Sequence, residues 1–153
     1  MPKTVHRSAF EAASRYWREI AQGNWTAGQP SSQHHSWAAI YLCGYSIECG
    51  FKVMICRHHG DAQTISEAME RIGSSCPDFL SGGVGHHLRT MSGYTGVHEA
   101  MFRELGPQAV SLALDRWDVA WRYGLPPGLR ALADRDIMWR ALDTVSDWVV
   151  RKL

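Results

Sequence analysis

Two ionisable side chains stand in the most apolar stretch of the chain, GYSIECGFKVMIC at 44–56: Glu48 and Lys52, four residues apart. Glu before Lys at this spacing puts a carboxylate and an ammonium on one helical face in the favourable order, worth a few tenths of a kcal/mol when exposed. Away from water such a pair persists only if further hydrogen bonds satisfy it. Tyr41, Tyr45, Glu48 and Lys52 follow one another at steps of four, three and four, so two phenols share the edge. Elsewhere, His86 in GHHL and the Arg122-Tyr123 pair in WDVAWRYG could complete a polar cluster. A histidine can move a proton and an arginine can clamp a phosphate, so Glu48, Lys52, His86, Arg122 and Tyr123 could bind or process a nucleotide or RNA. The same five residues could equally do no more than fix helix register.

Other chemistry finds less support. The pairs His34-His35, His58-His59 and His86-His87 tempt one toward a metal, but adjacent residues on a helix point about 100° apart and do not readily chelate one ion. No paired spacing typical of zinc occurs, so neither metal nor cofactor is expected. SGGVGHH at 81–87 is glycine-rich but lacks the phosphate-loop pattern and follows no strand, and reads as a loop. Of the cysteines Cys43, Cys49, Cys56 and Cys76, three fall in one helix and none forms a CxxC pair. They read as small buried hydrophobes in a reducing compartment.

The elements that must carry these residues are helical. Phe10, Ala13, Tyr16, Trp17 and Ile20 make one apolar stripe over about 8–22, with Gly23-Asn24 as its stop. After TAGQPSSQHH, Ser31 or Ser32 can cap a long helix to about His59, with Trp37, Ile40, Tyr41, Gly44, Ile47, Phe51, Met54 and Ile55 at steps of three and four. A short helix spans about 62–73, and a Gly/Ser/Pro-rich loop follows it. A third major element runs from His86 to about Leu105, with Gly93 and Gly96 as breaks or kinks. Pro107 suits the first turn of a fourth, whose stripe is Val110, Leu114, Trp117 and Trp121 and whose end is GLPPG at 124–128. The last helix starts near Ala133 or Asp134 and carries Met138, Leu142, Val145, Trp148 and Val149. The expectation is an all-α, antiparallel four- to five-helix up-and-down bundle filling residues 1–153 as a single domain. Six of the seven tryptophans fall in these helices, and most are expected to pack in the core.

Composition bounds the function. Sixteen basic against fifteen acidic residues give a net charge of +1, which removes the bulk electrostatic argument for nucleic-acid binding. No run of 18 apolar residues predicts a membrane span, and the charged N-terminal stretch does not read as a secretory signal. A cytoplasmic protein is expected.

The order of the pieces resembles the HEPN superfamily of small helical domains. The resemblance rests on Tyr45, Glu48 and Lys52 on a long second helix, then Gly85, His86 and Leu88 opening the next, then Trp117 ahead of Arg122-Tyr123. It covers roughly 8–150 in helix order. It implies a homodimer, pairing with a small nucleotidyltransferase or another partner protein, binding of a nucleotide or RNA, and a place in a bacterial conflict or toxin–antitoxin-type system. The family's metal-independent ribonucleases resemble one another in an Arg followed by four to six residues and a His. No histidine of this chain satisfies that spacing. The expectation is therefore a non-catalytic module, with a metal-independent ribonuclease or nucleotide-processing enzyme using His86 and Arg122 as the alternative.

Overall fold

A computed structural model of the chain describes residues 5–27, 33–73 and 87–153. Gly85, His86, Cys76, the capping candidates Ser31 and Ser32 and most of the glycine-rich stretch lie outside the described residues. The architecture is an all-helical bundle with no strand among those residues. In chain order come α1 (Arg7–Ala27), α2 (Gln33–His58), α3 (Ile65–Ile72), α4 (Leu88–Ser92), α5 (His98–Leu105), α6 (Pro107–Arg116), 3-10 turns at Val119–Tyr123 and Pro127–Leu129, and α7 (Leu132–Arg151).

α2 is the central element. Ile40, Ile47, Phe51 and Ile55 are fully buried on it, each contributing about 1.5–3 kcal/mol of apolar burial. By length and composition α2 could cross a membrane, with a mean hydropathy of 1.3 over its most apolar window, but 78% of that window is buried inside the structure. Its apolarity is thus spent on neighbouring helices. α1 closes on it through small residues: the Ser14 hydroxyl donates to Ser46 O at 2.8 Å, and the Ser46 hydroxyl returns a bond to Ser14 O at 2.6 Å. α7 packs on α2 with Val149 beside Gly50. Arg18 ties α1 to α7 by bonds to Asp143 Oδ1 (2.7 Å) and Ser146 Oγ (2.6 Å). Ser146 in turn accepts from the Cys43 thiol of α2 at 3.3 Å, so one polar seam joins the three long helices.

Local chemistry sets the ends of the shorter elements. Thr64 caps α3 by accepting from Glu67 N at 3.2 Å, and the Glu67 carboxylate accepts from Gln63 N at 2.8 Å, one residue before the donor of a standard capping box. Pro107 opens α6 as its sequence position requires.

Two boundaries differ from the sequence expectation, and one expected break is found. α1 runs through Gly23-Asn24 to Ala27, because Trp25 then stacks on Trp139 of α7 at 4.9 Å and 9°. The element expected from His86 to Leu105 breaks where Gly93 and Gly96 stand, into α4 and α5 parted at residues 93–97. The fourth helix does not continue through Trp117 to GLPPG. It ends at Arg116, and Trp117 is extended (φ −65°, ψ 135°).

Candidate functional site: a sealed carboxylate beside an aromatic edge

The break at Trp117 is what builds the site. Turning the backbone there lets the Trp117 indole lie against Gly44 of α2, where a Cβ would stand 2.0 Å from the indole nitrogen. Only glycine leaves room for the ring. The indole N–H donates to Tyr41 O at 3.2 Å, and the ring stacks on Tyr41 at 5.9 Å. Beyond the break, Asp118 restarts the chain by accepting from Ala120 N at 2.7 Å, and Trp37 donates its indole N–H to Trp121 O. A short 3-10 corner is thereby pinned at both ends.

The aromatic edge extends along α2. Tyr41 and Tyr45 are nearly parallel, 6.4 Å apart at 7°, and Trp17 of α1 meets Tyr45 edge-on at 6.1 Å. Tyr16 adds an exposed ring against Trp17 at 4.9 Å. Burial pushes the Tyr45 phenol up to about 12. Tyr41 is raised for the same reason, with the positive charge of Arg122 opposing the shift. Phenols held neutral in this way present flat, half-apolar faces.

Of the expected cluster, Glu48 and Lys52 meet as foreseen. Lys52 Nζ donates to Glu48 Oε1 at 2.9 Å, with Glu48 at 0% exposure and Lys52 at 17%. The ammonium also faces the Phe10 ring of α1 at 5.0 Å, a cation–π contact that the spacing on α2 could not reveal. Arg122 and Tyr123 are placed differently. Both are exposed on the 3-10 corner, Tyr123 at 79%, with the Arg122 guanidinium 4.6 Å from the Tyr123 ring centroid. His86 lies outside the described residues, and its neighbour His87 caps α4 without a side-chain bond.

The arrangement separates two chemistries. A carboxylate sealed from water cannot reach a substrate proton without an opening in the helices over it, so Glu48 acts on its neighbours. The aromatic edge is half-buried, and the Arg122-Tyr123 corner beside it is open to solvent, with residue types that anchor partners. No group of three or more His, Cys, Asp or Glu side chains suited to a metal occurs among the described residues. Sequence reasoning missed Trp17, Phe10 and the fit of Trp117 to Gly44. The signal within reach was Gly44 itself, a small residue in an otherwise bulky stripe.

No protein-family model, curated protein or solved structure matches this chain.

Proposed function

We propose that the chain is a HEPN-like helical module, an antiparallel up-and-down bundle that forms a homodimer in the cytoplasm and acts by binding rather than by catalysis. Its partner is a protein of a bacterial conflict or toxin–antitoxin-type system, of which a small nucleotidyltransferase is one example, or a nucleotide. The observation that supports this reading is the split of the polar cluster. Glu48 is buried under Lys52, whereas Arg122 and Tyr123 stand exposed on a corner held by Trp37 and Trp117. Arg and Tyr on a pre-organised support lose little conformational freedom on binding.

The test is size-exclusion chromatography with light scattering, then incubation with mixed RNA at neutral pH without added metal. A dimer that leaves RNA intact, and that loses a co-purifying partner on Arg122→Ala or Tyr123→Ala, supports the module. Cleavage of RNA that disappears on replacing His86 or Arg122 would put the ribonuclease reading first.

A further inference from the structure

A second feature lies at the other end of α2. Arg57 is about 18 Å along the helix from Tyr45 at 1.5 Å per residue. There an open cavity of about 340 Å³ is lined by Met54, Arg57, His58, Thr95, Gly96, Val97 and Lys152. Of these seven, two carry a positive charge and His58 brings an imidazole ring, while none is acidic. The bias of sign belongs to the lining itself, since the carboxylates nearest these two cations stand outside it.

The walls are held in place. Arg57 donates to Lys152 O at 3.2 Å and Leu153 O at 2.7 Å, which fixes its guanidinium at the rim. The His58 ring lies flush on Gly96, where a Cβ would come 2.3 Å from Nδ1 and where φ is +75°. The turn carrying Gly96 is braced by Thr95, whose hydroxyl donates to Ser92 O at 2.6 Å and accepts from Val97 N at 3.2 Å. Two carboxylates approach from outside the lining: Glu11 at 3.4 Å from Arg57 and Glu104 at 3.9 Å from Lys152. The second contact is beyond hydrogen-bond range, and the same ammonium stands 5.0 Å from the Trp148 ring centroid, so Lys152 is held at the rim by two weak contacts that an incoming anion must compete with. Met54 and Val97 supply an apolar wall.

The geometry points to a site for a phosphate monoester with a short apolar tail, its anion among Arg57, His58 and Lys152 and its tail against Met54 and Val97. A doubly charged, three-oxygen head matches three separate donors better than a carboxylate does. The cavity volume falls in the range of small-ligand pockets.

Calorimetric titration of the intact chain with phenyl phosphate, inorganic phosphate and benzoate tests this. Phenyl phosphate is expected to saturate with Kd below ~1 mM. Inorganic phosphate, without the tail, should bind at least ~5-fold more weakly. Lys152→Gln and His58→Gln should each weaken phenyl phosphate by about 5- to 10-fold, and Arg140→Gln, at an exposed arginine elsewhere on α7, should leave it unchanged. Failure of phenyl phosphate to saturate, site variants that bind it as tightly as the unaltered chain, or equal affinity for benzoate would overturn the assignment. None of these readouts depends on dimerisation or on Arg122, so this site and the binding corner stand or fall separately.

Discussion

Lys52 Nζ lies 2.9 Å from Glu48 Oε1, and the two side chains differ in access to water: that of Glu48 has none, while that of Lys52 keeps 17% of its surface. The pair is therefore a buried anion under a partly exposed cation. Removing the anion strands the Lys52 charge between Phe10 and the helix surface. Removing the cation takes the neutralising charge away from a carboxylate that has no contact with solvent.

Glu48→Ala is accordingly expected to cost on the order of 3 kcal/mol or more. Urea unfolding followed by circular dichroism would measure it. A loss well under ~1 kcal/mol, the value of an exposed pair, would show that the burial carries no energetic weight.

Gly44→Ala sets helix propensity against packing. Alanine gains about 1 kcal/mol in a helix interior. The new methyl would meet the Trp117 indole at 2.0–2.2 Å, so the ring must leave its place and its bond to Tyr41 O. Overpacking of about 1–3 kcal/mol and the lost hydrogen bond of about 1 kcal/mol outweigh the gain. The variant should be less stable, with an altered near-ultraviolet tryptophan signal. A more stable protein with an unchanged signal would mean that Trp117 does not rest on Gly44.

Burial pushes the thiols of Cys43 and Cys49 up to about 12 and that of Cys56 to about 11, and all three side chains are buried. The thiolate is the reactive form, so these cysteines should resist alkylation in the folded protein and react fully in denaturant. Peptide mapping by mass spectrometry reads each site separately. Rapid native labelling of any of the three would contradict the packing of α2.

The same shifts set the alkaline limit. Tyr45, with a folded value of about 12, keeps its proton while the unfolded chain loses its own near ~10. Its contribution is therefore whole below ~10 and disappears as pH rises toward about 12. Tyr41 acts in the same direction, and the buried thiols begin the loss lower, near ~8.5. Tyr45→Phe should remove part of the slope above ~10 and leave the thiol-driven part below it. An unchanged slope would show that Tyr45 titrates freely.

What the sequence disclosed was whatever depends on period. α2 and α7 were legible as core helices because their apolar residues recur every three or four positions, and Pro107 marked the start of α6. What it hid depends on distant partners. Nothing near Gly23 says that Trp25 will find Trp139, so α1 seemed to stop early. Trp117 continues the α6 stripe in spacing, yet its ring is needed against Gly44, and that contact outweighs the helical register. The carboxylate–ammonium pair was visible as a spacing on α2. Its burial, and the outward placement of Arg122 and Tyr123, came from helices that the spacing does not mention.

The polar seam from Cys43 to Ser146 has a consequence for the making of the protein. Its two ends are 103 residues apart in the chain. At a synthesis rate of roughly 5–20 residues per second, α2 waits about 5–20 s between leaving the ribosome and meeting α7. During that interval a 26-residue helix of membrane-like hydropathy has only α1 and the nearer elements to shelter it. The nascent chain thus presents, for seconds, a segment that a chaperone or a membrane-targeting factor would recognise. The reciprocal Ser14–Ser46 bonds, which join two consecutive helices across only 32 residues, are the first cover it receives.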